Sequence, residues 1–492
     1  MQRQPFIHRF RTDAGFYIYD VNTNRILKAS EAEYDLVEDC ATAQSGAELF
    51  SKWGTKYSKK TIEDAVQEID HWREQGYLSS NRPQAMRYPV PEEQIDRLVD
   101  AERQQLILNI TEKCNLRCRY CAYSGTYYFE RTHSDKVMPL PIAKKAVDSF
   151  WSHSRDCEKV HISFYGGEPL MCFRRLKEVI EYVRSLDWGE RQLFLHVDTN
   201  GTLLNEQIAR FFIENDVYLQ VSLDGPKDIH DRFRVYADGS GSFDKVMENL
   251  DRIRAIDPEY FELKVAFAAA MVPPYDLVRV CAFFGSEPFA QNVVTANTLM
   301  EHDTSFYEQY ASGLESMLDS STQSLRSQYI EHRVGGTHPP NYLRSFYDQV
   351  MVIIARRAFS PLGRFAKPNG ICIPGVRRVF VSADGCYYPC EKTIGSDFKL
   401  GNVERDIDID SVRQLIDKYI AISTEDCTKC WAVRLCSLCF FMARRGDRLD
   451  RGRKMDYCAQ ERAGIDSALR MYTTILERNP SAFEFTRTMV VE

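Results

Sequence analysis

The chain lacks the features that would assign it to a membrane, to secretion or to nucleic acid. No window approaches the roughly 18 uninterrupted apolar residues of a membrane span, and the N-terminus has no apolar signal-peptide core. Basic residues are not in excess, since the net charge is −7, whereas proteins that bind nucleic acid neutralise its phosphates with lysine and arginine. We therefore expect no membrane and no nucleic acid among its partners.

Cysteine, in contrast, is plentiful and grouped. Most of the 15 cysteines lie at 114–121, 372–390 and 427–458 of the 492 residues, a length that suits about three domains. Small secreted disulfide scaffolds are far shorter, so the groups suit metal ligation in a reducing compartment, and we expect a cytoplasmic protein. The cysteines outside the groups, expected to be core or incidental thiols, are Cys40, Cys157, Cys172 and Cys281.

The first group, Cys114, Cys118 and Cys121, follows an apolar run at 106–110. Cysteine thiolates hold iron–sulfur clusters, and four ligands saturate a four-iron cluster. Three local thiolates with no obvious fourth would leave one iron free to bind another ligand. A zinc site is the alternative, although zinc sites usually pair two CxxC-like knuckles.

This CxxxCxxC spacing after a strand resembles the signature of the radical S-adenosylmethionine (SAM) enzymes. In that family the open iron of a 4Fe-4S cluster chelates the amine and carboxylate of S-adenosyl-L-methionine, and reduction of the cluster yields a 5′-deoxyadenosyl radical. The resemblance makes the three cysteines both cluster ligands and catalytic residues. It also places Tyr120 against the adenine, with simple packing beside the cluster as the alternative.

From residue 106 onward, apolar strands alternate with amphipathic helical segments, which predicts parallel βα units. Six units fit a partial (β/α)6 barrel of the TIM type, as in the radical SAM family. In parallel barrels the chemistry lies at the C-terminal ends of the strands. The predicted strands are 106–111, 160–165, 193–197, 218–223, 263–268 and 292–296.

Polar motifs follow the second, third and fourth of these strands. The segment that begins Gly166-Gly167-Glu168 resembles the family's GGEP motif, in which the backbone and the carboxylate receive the methionine ammonium, with an ordinary turn as the alternative. Arg234 would by analogy pair with the methionine carboxylate, or else form a surface ion pair. The resemblance as a whole implies SAM contacts from Tyr120, Gly166, Gly167, Glu168, Asn200, Ser222 and Arg234.

The second and third cysteine groups resemble the SPASM extension, which binds two auxiliary 4Fe-4S clusters. The resemblance assigns Cys372, Cys390 and Cys439 to the first auxiliary cluster. The ligands that it assigns to the second are Cys427, Cys430, Cys436 and Cys458. The spacing from Cys436 to Cys439 is one residue shorter than is usual in the family. Cys386 stays open as a further ligand of the first cluster or a free thiol, and two zinc knuckles are the alternative for the whole region.

The N-terminal segment has strand patterns at 16–19 and 25–28, which flank a polar turn, and Ser30 with Glu33 predicts a capping box. A further helix is expected at about 61–75. This order resembles the winged-helix peptide-recognition domain of the PqqD type, in which a leader peptide adds a strand to the sheet edge and packs against the last helix. A DNA-binding winged helix is the alternative, but the predicted helix carries more acidic than basic residues.

The predicted fold class is α/β: a partial (β/α)6 TIM-type radical SAM barrel with an N-terminal winged-helix-like domain and a C-terminal SPASM iron–sulfur domain. The basic stretch 444–454 is expected to be a solvated face, or else to dock an acidic electron donor. The predicted parts are a PqqD-like leader-peptide recognition domain at 1–80, a linker at 81–100, the radical SAM barrel at 101–300, a helical bridging segment at 301–370, the SPASM domain at 371–460 and a C-terminal helix and tail at 461–492.

These expectations combine into a radical SAM maturase that installs an oxidative cross-link in a ribosomally synthesised precursor peptide bound through its leader. Its cofactors would be SAM and three 4Fe-4S clusters, and its electron donor a flavodoxin or ferredoxin. A thioether, a carbon–carbon and an ether bond all stay open. The alternatives are a SPASM enzyme that modifies a folded protein, such as a sulfatase maturase or a dehydrogenase-subunit cross-linker, and a non-enzymatic, zinc-binding winged-helix regulator.

Overall fold

A computed structural model describes residues 4–43, 45–88, 90–310 and 314–487. Parts of four predictions lie outside these ranges: the first three residues and Gln44 of the N-terminal domain, Pro89 of the linker, residues 311–313 of the bridging segment and the last five residues of the tail. No helix in the described ranges is long and apolar enough to cross a membrane.

The chain begins with a three-stranded antiparallel sheet that is covered on both faces. Ile18 and Leu27 pair across β2 and β3 and pack against helices α1 to α3. Tyr17 and Tyr19 face the main core instead, because successive side chains of a strand point to opposite faces. The predicted capping box is present at Ser30. The elements are β1 (Ile7–Arg11), β2 (Phe16–Asp20), β3 (Arg25–Ala29), α1 (Glu31–Leu36), α2 (Gly46–Trp53) and α3 (Lys59–Glu74).

A short strand, β4 (Ala85–Met86), and a helix, α4 (Glu92–Ala101), lead into the partial barrel. The six predicted strands are confirmed as parallel neighbours in the order β10-β9-β8-β7-β6-β5. The last two begin two residues later than predicted, at Val265 and Val294. For the earlier of the two, the cause is a short helix, α10, that starts at the capping residue Asp257. The elements are β5 (Gln105–Thr111), α5 (Leu140–Ser152), β6 (Lys159–Gly166), α6 (Phe173–Ser185), β7 (Gln192–Thr199), α7 (Glu206–Glu214), β8 (Val217–Ser222), α8 (Lys227–Phe233), α9 (Phe243–Ile256), α10 (Pro258–Lys264), β9 (Val265–Met271), α11 (Leu277–Phe284) and β10 (Val294–Thr298).

The C-terminal region extends the barrel sheet. Strand β12 pairs in parallel with β5, so that Val379 lies opposite Leu106, and three short antiparallel strands continue the sheet to β15. The long helix α15 packs against β1 and against the two bridging helices. The elements are α12 (Leu314–Val334), α13 (Asn341–Ala355), β11 (Phe365–Ala366), β12 (Val379–Val381), β13 (Cys386–Tyr388), β14 (Gly401–Asn402), β15 (Asp406–Ile407), α14 (Ile409–Cys427), β16 (Arg444–Arg445), β17 (Arg448–Leu449) and α15 (Arg451–Arg478).

A buried ion pair fastens this extension to the barrel. Arg103, which is only 3% exposed, donates from Nη1 and Nη2 to the two carboxylate oxygens of Asp406 at 2.8 and 2.9 Å. Burial alone would raise the pKa of Asp406, but the hydrogen bonds and charge of Arg103 bring that pKa below its usual value. Asp406 has a φ of 63°, which aspartate and asparagine tolerate better than most residues.

The variant Asp406→Asn keeps the shape of the side chain and removes its charge. Breaking a buried pair costs about 3–5 kcal/mol, and partial exposure of Asp406 places the expected loss of unfolding free energy near the lower value. Urea denaturation at neutral pH measures this loss. Because the folded pKa is depressed, the contribution is present above the unfolded pKa and is lost as pH falls through the folded pKa, so the two proteins converge in acid. Glu404→Gln, which breaks an exposed pair with Lys145, is the control and should cost less than about 1 kcal/mol. Equal losses in the two variants would contradict the assignment.

Candidate active site

The three predicted cluster cysteines lie in the loop that follows β5 and open into one cavity. Cys114, Cys118 and Cys121 line a space of about 630 Å³ together with residues at the C-terminal ends of β6, β7, β8 and β10. The loop is fixed to the barrel by its backbone, since the amide of Arg117 donates to the carbonyl of Val235 at 2.7 Å. The fold therefore holds three thiols around a single open space.

Burial makes these thiols weak acids. It raises the pKa of Cys114 to about 11 and that of Cys118 to about 12, and it also raises the pKa of Cys121. Thiolates at these positions need a cationic partner, which iron supplies. Within the described ranges, no three His, Cys, Asp or Glu side chains are grouped to hold a single metal ion. The donor set itself, three thiols around an open cavity, is the chemistry that holds a 4Fe-4S cluster.

Two glycines allow the end of β6 to meet the start of the cysteine loop. A Cβ atom on Gly166 would lie 2.1 Å from the carbonyl oxygen of Thr111, and one on Gly167 would lie 2.1 Å from that of Lys113. The amide of Gly167 donates to the same Thr111 carbonyl at 2.7 Å. The double glycine is therefore required by backbone packing under the loop, and both glycines also line the cavity.

Glu168 lies one layer behind the cavity wall. Its Oε1 accepts hydrogen bonds from the Leu170 amide at 3.0 Å and from the Thr199 hydroxyl at 2.8 Å. Its Oε2 accepts from the Asn200 amide at 2.6 Å. Burial raises the pKa of Glu168 to about 7, although these hydrogen bonds oppose the rise. The carboxylate thus joins the ends of β6 and β7 and sets the backbone of Asn200.

Tyr120, Asp224 and Arg234 form a buried cluster beside the cysteine loop. One oxygen of Asp224 accepts from the Tyr120 hydroxyl at 2.6 Å and from Arg234 Nε at 3.0 Å, and the other accepts from the Ala270 amide at 2.9 Å. The Asp224 side chain is fully buried and that of Arg234 is 11% exposed, so the alternative of a surface ion pair is wrong. Sequence reasoning assigned no role to Asp224, although the Ser-Leu-Asp-Gly end of β8 was an available signal.

The positive charge of Arg234 faces the cavity, which Tyr120 also lines. Its guanidinium carbon lies 5.4 Å from the centre of the Tyr120 ring. Burial opposes the charge on Arg234, but the combined effects of the Asp224 carboxylate, Tyr120 and Cys118 outweigh it and raise the pKa of the guanidinium. Arg234 therefore presents a permanent cation to any ligand in the cavity.

Asn200 and Ser222 reach the cavity from the ends of β7 and β8. The side-chain amide of Asn200 donates to Asn115 Oδ1 at 2.9 Å, and Asn115 donates in turn to the Thr202 hydroxyl at 2.8 Å. Asn115 belongs to the cysteine loop, so this chain of hydrogen bonds ties the loop to β7. Asn200 is placed to orient the loop as well as to contact a ligand.

Two carboxylates without a role in the sequence analysis also line the cavity, Asp198 of β7 and Glu391, which follows Cys390. Burial raises the pKa of Asp198 to about 7, and the negative charges of Glu391 and Glu168 add to the rise. Oε2 of Glu391 is buried and makes no hydrogen bond within the described part of the chain. No spacing rule could join the two residues, because only the folded sheet brings them together.

The four cysteines predicted to hold the second auxiliary cluster converge on a smaller cavity of about 50 Å³. Cys427 ends α14, Cys458 lies on α15, and Cys430 and Cys436 come from the segment between the two helices. The cavity is bounded by the same helices, so its shape depends on how α14 and α15 pack. Four thiols around one small space again suit a 4Fe-4S cluster.

The cysteines predicted for the first auxiliary cluster are partly buried. Burial raises the pKa of Cys372, with the neighbouring Cys439 adding to the rise. It raises the pKa of Cys390 to about 12, with Glu391 and Cys372 among the further causes. Cys372 therefore lies close to both of the other predicted ligands. Cys386 lies on β13, and its amide donates to the Ser382 hydroxyl at 3.0 Å.

The expectation that 444–454 forms a solvated face is wrong for three of its cations. Arg444 pairs with Glu130 at 2.5 Å and Arg453 with Asp303 at 2.6 Å, both across to loops of the barrel region. Lys454 is 2% exposed. The acidic partners belong to distant segments, so the pairing could not be inferred from local charge.

The variant Asp198→Asn tests the electrostatics of the cavity in the iron-free protein. Because the folded pKa of Asp198 is raised from 3.8 to about 7, its stabilising effect is full below the unfolded pKa and is lost as pH rises through the folded pKa. The variant should therefore gain unfolding free energy relative to wild type, by about 2–3 kcal/mol between about pH 5 and pH 8. Urea denaturation across this range measures the gain. Asp135→Asn, at an exposed position, should show no such trend, and a pH-independent difference for Asp198→Asn would refute the raised pKa.

Comparison with known proteins agrees with this geometry. Residues 108–260 match the family model of the Radical SAM superfamily. The chain is 26% identical over 305 residues to a cysteine-type anaerobic sulfatase-maturating enzyme of Clostridium novyi, covering 61% of this chain and 76% of the relative. It is 24% identical over 307 residues to a serine-type anaerobic sulfatase-maturating enzyme of Bacteroides thetaiotaomicron, covering 59% and 69%.

Among solved structures, native anSMEcpe with bound AdoMet and Kp18Cys peptide is similar in fold. Its TM-score is 0.56 at 19% identity, and the match covers 79% of this chain and all of that one (100%). The predicted barrel is confirmed by this likeness and by the order of the strands. Residues 108–260 therefore form a radical SAM domain, and the chain is an enzyme that carries this domain.

Proposed function

We propose that the enzyme installs an oxidative cross-link in a ribosomally synthesised precursor peptide, which it binds through the leader. One observation carries the proposal. The same molecule combines a thiol-lined cavity at the strand ends with a three-stranded sheet that packs against the C-terminal helix and whose edge strand β3 pairs with no further strand in the described ranges. The bond formed, a thioether, a carbon–carbon or an ether bond, is not specified by these features.

In this proposal Cys114, Cys118 and Cys121 hold a 4Fe-4S cluster that binds SAM. When bound, the two supply a 5′-deoxyadenosyl radical that removes a hydrogen atom from the substrate. Arg234 provides the positive charge for the SAM carboxylate, and Tyr120 provides an aromatic face for the adenine. The backbone of the two glycines, the Asn200 amide and the Ser222 hydroxyl complete the contacts. Glu168 acts through the Asn200 backbone that it holds.

The N-terminal sheet would bind the leader. Strand β3 lies at the edge of the sheet, and an edge strand offers backbone groups to an added strand. The sheet is docked near the auxiliary cysteines, because the His8 ring stacks on Trp431 with centroids 3.6 Å apart and His8 Nε2 lies 2.7 Å from Asp466 of α15. Trp431 follows Cys430 directly. A leader held at β3 would therefore be anchored to the region that carries the second auxiliary site.

The two further cysteine sets would each hold an auxiliary 4Fe-4S cluster, which makes three clusters in all. Hydrogen abstraction and bond formation together leave one surplus electron, which the auxiliary clusters would accept. A flavodoxin or ferredoxin would supply the reducing electron for SAM cleavage. In this proposal the parts of the chain are those predicted from the sequence, with a PqqD-like domain first, the barrel second and a SPASM domain last.

The second candidate is the modification of a residue within a larger protein. Sequence similarity to anaerobic sulfatase-maturating enzymes favours it. The solved structure of anSMEcpe contains a bound Kp18Cys peptide, which supports a peptide segment as the substrate under both candidate functions. The free edge of β3 favours the leader-guided candidate, since a folded protein substrate needs no added strand.

Replacing the three cluster cysteines tests the catalytic centre. After anaerobic reconstitution, wild type should bind about twelve iron atoms and convert SAM to 5′-deoxyadenosine with dithionite. The variant Cys114→Ala/Cys118→Ala/Cys121→Ala should keep about eight and form no 5′-deoxyadenosine. Cys157→Ala, outside the cysteine groups, should behave as wild type. Iron assay and liquid chromatography measure both quantities. Zinc in place of iron, or 5′-deoxyadenosine from the triple variant, would contradict the assignment.

Proline in β3 tests the leader site. Along an edge strand the backbone amides point alternately toward the neighbouring strand, here β2, and outward. Proline removes one amide, so one of the variants Leu27→Pro and Lys28→Pro breaks a hydrogen bond to β2. The other removes only an outward amide that an added strand would use. The informative variant is the one whose melting temperature stays at the wild-type value. We expect it to keep basal 5′-deoxyadenosine formation and to lose modification of the co-expressed precursor peptide, measured by mass spectrometry. Full modification by that variant would instead favour the second candidate.

A further inference from the structure

Lys454 is a buried cation beside the cysteines of the second auxiliary site. Its side chain lies in the first turn of α15, and its Nζ is 3.0 Å from the sulfur of Cys427. Cys458 follows four residues later, so it lies on the same face of the helix as Lys454. Both residues line the cavity that the four cysteines share. The helix thus sets an ammonium group directly against the predicted cluster ligands.

The surroundings of this ammonium group supply little negative charge. Asp426 also lines the cavity, but its two oxygens accept from Arg451 at 2.8 and 2.9 Å. Glu461, two turns further along α15, accepts from the Ser437 amide and hydroxyl, and Arg462 beside it is a second cation, next to Cys430. Tyr419 contributes only its ring face, 5.5 Å from Nζ. A buried ammonium group is costly without a counter-charge, and four thiolates around a 4Fe-4S cluster would provide that charge.

We propose that Lys454 is a positioning residue that raises the reduction potential of the second auxiliary cluster. This inference rests on the proposed function, in which that cluster is held by Cys427, Cys430, Cys436 and Cys458. The N–H group of Lys454 donates to the Cys427 thiolate, and its charge acts through a medium of low dielectric constant. A reduced cluster carries one more negative charge than an oxidised one. The cation therefore stabilises the reduced form more, which makes the second auxiliary cluster the better electron acceptor.

The position of the cavity is consistent with this role. Leu438 and Glu461 line both this cavity and the large cavity of the SAM site. The two spaces thus share a wall, so the second auxiliary site lies next to the place where the substrate would be oxidised. Hydrogen bonds to cluster sulfurs and nearby net charge are among the means by which proteins set the potentials of iron–sulfur clusters. Lys454 supplies both.

The test is a redox titration monitored by electron paramagnetic resonance in the Cys114→Ala/Cys118→Ala/Cys121→Ala background, which leaves only the auxiliary clusters. Lys454→Met removes the charge and the donor, and Lys454→Arg keeps both. Lys429→Met is the matched control, since Lys429 is exposed and lies two residues from Cys427. We expect Lys454→Met to weaken reduction of one auxiliary cluster at least tenfold, which is about 59 mV for one electron. Lys454→Arg and Lys429→Met should shift it by much less.

Each outcome separates this inference from the proposed function. If the parent variant binds no iron, the proposed clusters are absent. If both clusters are present and Lys454→Met leaves the two potentials unchanged, or shifts both equally, the proposed role of Lys454 is wrong while the clusters stand. Loss of about four irons in Lys454→Met but not in Lys454→Arg would also support the charge–thiolate contact. The same loss in both variants would show that Lys454 acts by packing alone.

Discussion

The close approach of two backbones at the ends of β5 and β6 is the contact on which the site depends. The amide of Gly167 bonds to the carbonyl of Thr111, and no side chain larger than hydrogen fits at Gly166 or Gly167. Parallel pairing of the two strands brings these segments together. The cysteine loop starts from this contact, and Glu168, the next residue, carries it on to β7 by holding the Asn200 amide. These contacts hold the cysteine loop, β6 and β7 together as one unit.

Around this unit the charges are arranged by sign. On one side Arg234, held by buried Asp224, gives the cavity a fixed cation. Elsewhere the lining carries the carboxyl groups of Asp198 and Glu391; burial raises the pKa of Asp198 to about 7, and the negative charge of Glu391 adds to the rise. A ligand with both an ammonium and a carboxylate group, such as the methionine part of SAM, suits such a division. Burial raises the pKa values of the three thiols and so keeps them protonated until a metal replaces the protons.

Much of this could be predicted from the sequence, for identifiable reasons. Strands of period two and helices of period 3.6 alternate clearly between residues 106 and 296, so the barrel and the meeting of its strand ends followed. Local spacing was enough to group Cys114, Cys118 and Cys121. Local spacing could not predict contacts between distant segments. These are the contacts of Asp224 with Tyr120, of Glu391 with Asp198, and of Arg444 and Arg453 with their acidic partners. The position of Glu168 behind the cavity wall could not be predicted either, because a sequence motif gives the residue type but not the side-chain rotamer.

The N-terminal sheet, the barrel and the C-terminal strands share one continuous core, which in the proposed function would link binding of the leader mechanically to the site of oxidation. The most direct test of hydrogen abstraction follows a deuterium label from the precursor peptide to 5′-deoxyadenosine. The holoenzyme is incubated with SAM, dithionite and a precursor peptide that is deuterated at its non-exchangeable carbon positions. The deuterium content of the 5′-deoxyadenosine formed is then measured by mass spectrometry. The account predicts that the nucleoside gains deuterium in step with loss of hydrogen from the peptide. Unlabelled 5′-deoxyadenosine alongside a modified peptide would contradict it.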